Sequence, residues 1–319
     1  MTPAPSGVQY EVSLGDQRAV VAEVGAAVRF YTVGGRAVVV PFGESQIAPA
    51  FHGAVLLPWP NRLRDGRYTF DGVAYQVPLT EPGRQVALHG LVCWERWSVV
   101  EHTTSLVRLQ IDLVPTPGYP FALRSVITYE LTPEGLDVTL TTTNVGDRDA
   151  PYGAGFHPWL SPGEGSLDEC VLRLDAETWV STDERLLPTG EAPIPAALDF
   201  REPRLLAGTV LDDAFVDATF TDGRSWLHLT GKDGATAAAW MDESLTCWQA
   251  CTGDAIDASA YVRSGLAAEP MTCTADAFRT GDRLIRLQPD QTQTAHWGLT
   301  LSPGLAGASC CRKAERRWQ

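Results

Sequence analysis

The 319-residue sequence predicts an all-β protein, a large antiparallel β-sandwich with few short helices. Apolar and polar residues alternate with a period of two along the chain, for example in residues 9–14, 108–113 and 137–141. Such alternation places one face of a strand on a core and the other in water. No segment shows sustained apolar spacing of three and four residues, and 29 Gly and 22 Pro leave little room for long helices. Short strands at regular spacing therefore indicate a sandwich or barrel rather than alternating strand–helix units.

Turn-forming residues stand between the alternating segments and favour tight connections. They are Gly34-Gly35, Asp71-Gly72, Pro117-Gly118, Pro133-Glu134-Gly135, Asp222-Gly223 and Asp233-Gly234. No Ser/Gly-rich linker and no fixed repeat divides the chain, so residues 1–303 are predicted to form one domain. Residues 304–319 lose the alternation and become basic. We expect them to form a disordered basic tail, with a short interaction segment as the alternative.

The charge of the chain limits its partners. The formal net charge is −14 and the sequence pI is about 4.8. Such a surface repels phosphate backbones and anionic lipids, which argues against nucleic acid or membrane partners. No run of 18 apolar residues is present, and the first residues lack the basic start and apolar run of a secretory signal. Seven cysteines do not resemble a disulfide framework, so we expect a cytoplasmic protein with reduced thiols.

Motifs for nucleotide and hydrolase chemistry are missing from the sequence. No glycine-rich phosphate loop, His-Glu-x-x-His or Gly-x-Ser-x-Gly motif is present. The remaining candidates are ionisable groups in unusual surroundings. Asn61 and Arg62 follow a segment with two prolines, which predicts a loop or strand end. His89 precedes a glycine, His157 precedes a proline, and Glu269 lies among apolar residues, where burial would raise its pKa.

Each of these residues also has a purely structural interpretation. A single His on a β loop is more often structural than catalytic, and a Glu before Pro commonly ends a strand. Arg62 could pair with Asp65 at the surface, where an ion pair contributes little. Trp59 and Trp159 could fill the core or offer a flat apolar face to a sugar ring. The residues alone therefore predict an acidic, soluble all-β protein with sugar binding as a candidate function.

Five segments, taken together, resemble the aldose 1-epimerase family of galactose mutarotases and their relatives. They occur in the family's order and extend over roughly residues 10–303. The segments are GAAVRFYTVGGRAVV, LLPWPNRLRDGRYTFDGVAYQVPLTEPGRQVALHG, GFHPWL, LDDAFVD and GLAAEPMTC. In GFHPWL, Trp159 takes a position that is usually Tyr or Phe in the family. The resemblance implies a galactose mutarotase-like supersandwich with an open sugar cleft and without a metal or organic cofactor.

The resemblance also implies roles for individual residues. Glu269 would be the general base, His157 the general acid, and His89 a third catalytic residue. Arg62 and His89 would hold the ring oxygen and hydroxyls of the sugar. The other expected sugar-binding residues are Asn61, Asp212 and Trp159, with Asp213 as the alternative to Asp212. The expected partner is a small monosaccharide, and the protein would be a monomer or homodimer.

The implied reaction interconverts the α and β anomers of free aldoses such as glucose and galactose. A carboxylate would remove the proton of the C1 hydroxyl, and a protonated imidazole with a pKa near 6.5 would protonate the ring oxygen. Two alternatives stay open. One is a hexose 6-phosphate 1-epimerase, for which the candidate cations are Arg64, Arg67, Arg84 and Arg96. The other is a non-catalytic carbohydrate-binding sandwich, which would not need an acid and a base together.

Overall fold

The computed structural model describes residues 4–304 and confirms the predicted all-β sandwich with few short helices. These residues form 27 strands, a single four-residue α-helix and five short 3₁₀ turns. The helix, α1, is Ala277–Thr280, and the 3₁₀ turns are Pro49–Phe51, Pro82–Arg84, Leu167–Glu169, Ala196–Leu198 and Ser259–Tyr261.

The strands are short and follow one another closely along the chain. The first nine are β1 (Gln9–Leu14), β2 (Gln17–Ala22), β3 (Val28–Val33), β4 (Arg36–Ala37), β5 (Val55–Leu56), β6 (Arg62–Arg64), β7 (Arg67–Phe70), β8 (Val73–Gln76) and β9 (Val86–Leu88). The next nine are β10 (Ser98–His102), β11 (Leu106–Leu113), β12 (Leu123–Thr132), β13 (Gly135–Asn144), β14 (Ala150–Tyr152), β15 (Gly155–Phe156), β16 (Trp159–Leu160), β17 (Val171–Leu174) and β18 (Ala176–Thr182). The last nine are β19 (Pro188–Pro193), β20 (Arg204–Leu205), β21 (Asp212–Ala218), β22 (Ser225–Thr230), β23 (Thr236–Met241), β24 (Cys247–Cys251), β25 (Leu266–Met271), β26 (Ile285–Leu287) and β27 (Thr292–Ser302).

Two large sheets dominate the architecture. The nine-stranded sheet has the order β10-β11-β12-β13-β27-β23-β22-β17-β20. The eight-stranded sheet has the order β19-β18-β21-β24-β25-β15-β5, and β16 also pairs with β25. A four-stranded sheet, β1-β2-β3-β4, and three two-stranded sheets, β14-β26, β6-β9 and β7-β8, complete the described strands. The neighbours in both large sheets pair antiparallel, as the sequence predicts.

Aromatic side chains fill the space between the two large sheets. Phe156 of the eight-stranded sheet packs on Trp297 of the nine-stranded sheet, with ring centroids 4.9 Å apart. The indole N–H of Trp248 in β24 donates to Ser225 Oγ in β22 over 3.0 Å. All four residues are buried. The layers are thus held by apolar burial, which supplies most of the stabilisation, and by a hydrogen bond that satisfies a buried polar group.

The sequence pattern identifies the strands and turns well. The alternating segments lie in β1, β11 and β13, and burial alternates along β12 and β13. Asp71-Gly72 joins β7 to β8 with positive φ at both residues, as a two-residue hairpin requires. The single domain of residues 1–303 stays a prediction, and residues 305–319 of the predicted tail lie outside the described residues. Within residues 4–304, no helix is long and apolar enough to span a bilayer.

Replacing Ser225 by Ala should destabilise the sandwich by about 1–3 kcal/mol, because the buried indole N–H of Trp248 then loses its acceptor. Urea unfolding would measure this as a lower midpoint with an unchanged slope. The matched control is Ser98→Ala on the exposed edge strand β10, which should change the free energy of unfolding by less than about 0.5 kcal/mol. Equal midpoints for the two variants would contradict this account of the interlayer hydrogen bond.

Candidate active site

Three neighbouring strands carry polar side chains on one face of the eight-stranded sheet. Side chains alternate between the two faces of a strand. Phe215 in β21, Trp248 in β24 and Ala268 in β25 belong to the main core. The residues at odd spacing from them within each strand therefore face the other way. Asp212, Gln249 and Glu269 lie on that second face, and Gln249 is directly opposite Glu269 in the β24–β25 ladder. The site is therefore built on the sheet surface that faces away from the sandwich core.

The structure brings Glu269 and His157 together from distant parts of the sequence. β15 pairs with β25 at Met271, and β16 pairs with β25 at Ala267. The residues between β15 and β16 are His157 and Pro158, so this connection lies over Glu269. His157 Nε2 is 3.4 Å from Glu269 Oε1. The motif GFHPWL thus places an imidazole beside a carboxylate because its two short strands flank that carboxylate.

The Glu269 side chain is buried in the site. The residue is 2% exposed, and every residue of β25 is buried. Burial raises the pKa of the Glu269 carboxyl well above its ordinary value, the nearby Asp212 charge raises it further, and Arg62 partly opposes them. Its Oε2 atom has no hydrogen-bond partner within the described part of the chain. A group with this raised pKa is suited to take up and return a proton.

His157 lies deep in the site and differs from the sequence-based expectation in its charge. The residue is 6% exposed, and the indole N–H of Trp159 donates to its Nδ1 over 3.1 Å. Burial lowers the pKa of His157 to about 3, and the nearby His52 and Arg62 contribute to this. The sequence led us to expect a protonated imidazole near neutrality. Instead His157 is neutral there, because burial penalises the charged form.

His89 adjoins His157 and is held by its neighbour Asn61. The backbone N–H of Asn61 donates to His89 Nδ1 over 3.2 Å, and the N–H of His89 donates to the Asn61 carbonyl over 2.9 Å. Both residues have positive φ, 55° and 60°, a conformation that is costly for residues other than Gly and often marks functional sites. The His89 and His157 rings are 5.1 Å apart. Burial lowers the pKa of His89 well below its ordinary value, as do His157 and Arg62.

The glycine after His89 allows the close approach that the sequence predicts. Gly90 has φ 73°, and a Cβ at this position would overlap the Leu57 carbonyl. The segment Leu57–Asn61 connects β5 to β6, so it is a loop ending at a strand, as its two prolines predict. The loop and the end of β9 therefore hold Asn61 and His89 side by side.

Arg62 contacts two carboxylates of the site. Its Nε donates to Glu81 over 2.9 Å, and its NH2 group is 3.7 Å from Asp212. The alternative pairing of Arg62 with Asp65 is wrong, because Asp65 pairs instead with Arg185 over 2.7 Å. Loop geometry separates the two residues: Arg62 points into the site, and Asp65 lies in an exposed turn with positive φ.

Of the two neighbouring aspartates, Asp212 faces the site. It accepts a hydrogen bond from Gln249 Nε2 over 2.8 Å, and burial raises its pKa although Arg62 and Gln249 oppose the shift. Asp213 points to the other side of the strand and accepts the indole N–H of Trp179 over 2.8 Å. Sugar binding by Asp212 stays a prediction. The alternation of side chains along β21 places Asp212 on the same face of the sheet as Glu269.

The structure adds four residues that the sequence analysis did not single out. Gln249 and Glu81 position Asp212 and Arg62. The Phe51 ring lies 4.6 Å from the His89 ring and 5.1 Å from the ring of Trp94, measured between centroids. Gln249 could have been found as the polar residue of an otherwise apolar strand, CWQAC. Phe51 and Trp94 leave no such signal, because only the tertiary fold brings them to the histidines.

The tryptophans differ in exposure. Trp159 is 1% exposed and Trp59 is also buried, whereas Trp94 is 46% exposed beside Phe51. Sugar binding by Trp159 stays a prediction, but the aromatic surface that is open to solvent at this site belongs to Trp94. In residues 4–304, no group of three or more His, Cys, Asp or Glu side chains is arranged to hold a metal ion.

Solved structures of related proteins share this fold. The GalM/aldose epimerase homologue from C. elegans superposes with a TM-score of 0.83 at 19% identity, covering 93% of this chain and 99% of that one. Galactose 1-epimerase from Lactobacillus acidophilus gives a TM-score of 0.77 at 17% identity, covering 92% of this chain and 93% of that one. These similarities confirm the predicted galactose mutarotase-like architecture.

Sequence comparison identifies the family. The uncharacterized protein YihR of Escherichia coli is 34% identical over 287 residues, which is 89% of this chain and 90% of YihR. Galactose mutarotase of Rattus norvegicus is 31% identical over 173 residues, about half of each chain at 50% and 48%. The sequence model for aldose 1-epimerase matches residues 9–300. The resemblance noted in the sequence is thereby confirmed, and the chain belongs to the aldose 1-epimerase family.

Proposed function

We propose that the protein is a mutarotase that interconverts the α and β anomers of a free aldose such as glucose or galactose. The observation that carries this proposal is the pair of buried groups, Glu269 Oε1 and His157 Nε2, at 3.4 Å. Family membership supports the reaction class, and the substrate is our inference. We further propose that the enzyme is cytoplasmic, acts on a monosaccharide and is a monomer or homodimer, with residues 1–303 as one domain.

In the proposed reaction, Glu269 takes the proton of the C1 hydroxyl. The C1–O5 bond then breaks, its electron pair moves to O5, and O5 receives the proton on Nε2 of His157. The open-chain aldehyde rotates about C1–C2 and closes from the other face of its carbonyl. Closure returns each proton along the same path, so neither residue needs a third group to regenerate it. A well-placed acid or base of this kind is typically worth about 10²–10⁴ in rate.

The remaining residues of the site would orient the sugar and stabilise charge. Arg62 is a fixed cation held by Glu81 and Asp212, and His89 is a neutral donor. Asp212 would accept hydrogen bonds from sugar hydroxyls, with Gln249 and Asn61 beside it. Donors held in place by other contacts stabilise developing charge without reorganising.

Contacts of the four candidate arginines favour an uncharged sugar over a sugar 6-phosphate. Each is already engaged: Arg64 with Asp183 and Asp276, Arg67 with Gln76, Arg84 with Glu81, and Arg96 with Glu23. A phosphate would have to compete with a carboxylate at three of these four positions. Arg84 adjoins the site, because it shares Glu81 with Arg62.

Burial of Glu269 favours catalysis over simple carbohydrate binding. Simple binding needs a hydrogen-bond acceptor, whereas proton transfer needs a carboxyl group whose pKa is raised and which lies beside an imidazole, as Glu269 lies beside His157. Proteins retain such costly groups where they perform chemistry. The buried carboxyl of Glu269 beside the imidazole of His157 is therefore our reason for preferring catalysis to carbohydrate binding alone.

Aromatic residues at the edge of the site offer a surface for the sugar ring. We propose that the C–H face of the ring packs on Trp94 and Phe51. Phe51 is held in a left-handed conformation, φ 57°, after Ala50 at φ 41°. Two such residues in succession are unfavourable, and this geometry directs the Phe51 ring between Trp94 and the two histidines.

Glu269→Gln should lower kcat for anomer interconversion by at least about 10²-fold, because the amide cannot accept the C1 hydroxyl proton. Polarimetry of freshly dissolved α-glucose and α-galactose measures the relaxation. Glu243→Gln, at an exposed position, is the control and should relax at the wild-type rate. Glucose 6-phosphate is assayed in parallel by NMR of its anomeric protons. Equal rates for wild type and Glu269→Gln would reject the base, and faster turnover of the phosphate would select the alternative substrate.

The pH dependence of activity and stability should both report Glu269. Its folded pKa is raised, so kcat/KM should fall toward acid pH with a midpoint above the ordinary value of about 4.3. The same shift favours the folded state below about pH 4.3, and this stabilisation is lost as pH rises through the folded pKa. The melting temperature of Glu269→Gln relative to wild type should therefore increase from pH 4 to pH 8. A constant difference would show that Glu269 titrates normally.

Trp94→Ala should raise KM for the sugar by about 2- to 10-fold, the size of one lost aromatic contact, and change kcat by less than about twofold. Initial-rate polarimetry over a range of sugar concentrations separates the two parameters. Trp94→Phe keeps a flat apolar face and should retain the KM of the wild type. A KM that does not change in Trp94→Ala would remove Trp94 from the binding surface.

A further inference from the structure

The Trp159 side chain is packed behind His157 and away from solvent. Its ring is nearly parallel to His52, with centroids 4.5 Å apart and an interplanar angle of 6°. Gly253 also lies against the indole, since a Cβ at this position would be 2.8 Å from a ring carbon of Trp159. The indole is 1% exposed and is enclosed by these neighbours. Its contact with the proposed reaction is through His157.

The hydrogen bond between Trp159 and His157 has a fixed direction. The indole N–H of Trp159 is shared between Nδ1 of His157 at 3.1 Å and the Ala50 carbonyl oxygen at 3.3 Å. An indole N–H can only donate, so Nδ1 accepts in this contact. Nδ1 therefore carries no proton. The proton of a neutral imidazole then resides on Nε2, the atom that lies 3.4 Å from Glu269. An imidazolium would carry a proton on Nδ1 as well and would place two N–H groups against each other.

We propose that Trp159 is a positioning residue that holds His157 as its neutral Nε2–H tautomer, so that the ring oxygen receives its proton from a neutral imidazole. This inference rests on the proposed function. Many catalytic histidines have an acceptor on Nδ1, which stabilises the imidazolium. Here the partner of Nδ1 is a donor, which stabilises negative charge on the imidazole instead of positive charge.

The proton and charge balance is consistent with this role. Ring opening transfers the C1 hydroxyl proton to Glu269, which becomes neutral, and the Nε2 proton of His157 to O5. The imidazole is left with the negative charge that Glu269 has lost, so the pair keeps one negative charge throughout. The Trp159 N–H strengthens its hydrogen bond as charge develops on the imidazole, because bonds to charged acceptors are stronger. A neutral imidazole is known to polarise a carbonyl as the electrophile of another isomerase.

Burial and the neighbouring cationic groups favour the neutral form of His157, whereas Glu269 and a contact with the backbone of His157 itself favour the charged form. Glu269 in β25 is the one anion against the imidazole among the residues described. The other neighbours are Arg62 in β6, His89 after β9 and His52 after the turn at 49–51, each of which carries or can acquire positive charge. Phe51 adds an apolar ring at 6.0 Å from the imidazole. Burial among these groups lowers the pKa of His157 to about 3.

NMR of the full chain labelled with ¹⁵N-histidine tests the tautomer directly. Two-bond correlations between the ring nitrogens and the carbon-bound ring protons distinguish the Nε2–H, Nδ1–H and imidazolium forms. The signal of His157 is assigned by its loss in His157→Asn. We expect His157 to show an unprotonated Nδ1 and a protonated Nε2 from pH 5 to pH 8, unchanged across that range. An imidazolium or an Nδ1–H form within this range would overturn the proposal.

The Trp159→Phe variant keeps an aromatic ring and removes the donor. The His157 signal should then shift toward a mixture of the two neutral tautomers, and kcat should fall by about 10- to 100-fold. This is the size found for hydrogen-bond partners that orient histidines in metal sites. KM should stay within about threefold. The matched control is Trp97→Phe, because Trp97 is also fully buried but its indole N–H has no acceptor among the described residues.

The outcomes separate this inference from the proposed function. Trp97→Phe should leave the His157 signal and kcat unchanged, so a fall in kcat common to both variants would indicate loss of packing and overturn the role of Trp159. Anomer interconversion with an imidazolium at His157 would defeat the inference alone. The Nε2–H signal without interconversion of any aldose would defeat the proposed function, while the tautomer assignment would stand on the NMR result.

Discussion

Burial of the Glu269 carboxyl is the constraint on which the site depends. β25 is covered on both faces, with Ala268 in the main core and Glu269 toward the site. Ionising a carboxyl there is opposed by burial and by Asp212, and Arg62 is the cation that opposes this effect. The charge of Arg62 is not reserved for Glu269, because Glu81 and Asp212 both contact its guanidinium.

A second constraint follows from the same burial. Two imidazoles near Arg62 would repel each other and the guanidinium if they were protonated, and both His89 and His157 have lowered pKa values. In each ring, Nδ1 accepts a hydrogen bond: from the backbone of Asn61 in one case and from Trp159 in the other. The donors on Nδ1 leave Nε2 as the protonated nitrogen of both rings. The site thus offers two neutral N–H donors beside the carboxyl groups of Glu269 and Asp212 and the guanidinium of Arg62, a set of donors and acceptors suited to hydroxyl groups.

Much of the fold could be predicted from the sequence, because period-two alternation and turn residues are local signals. The segment in β13 and the hairpin at Asp71-Gly72 needed no tertiary information. Asn61, His89 and Glu269 could be singled out through the unusual residues around them. The pairing of Arg62 could not be predicted, because its partners Glu81 and Asp212 approach it only in the folded chain. The neutral state of His157 was missed for the same reason: burial is a property of the whole site, and a reference pKa does not contain it.

The sandwich core supplies the stability that offsets unfavourable features of the site. The site faces away from the main core, so the core between the two large sheets can be packed with aromatic residues such as Phe156 and Trp297 without regard to the reaction. Left-handed backbone at Phe51, Asn61 and His89 and the buried carboxyl of Glu269 all oppose folding, and they lie in loops or on the outer face of the eight-stranded sheet. The antiparallel ladders on both sides of Glu269 hold Gln249 and the His157 connection at fixed distances from it. Rigid sheet geometry therefore converts stability gained in the core into precise placement of groups that are unfavourable individually.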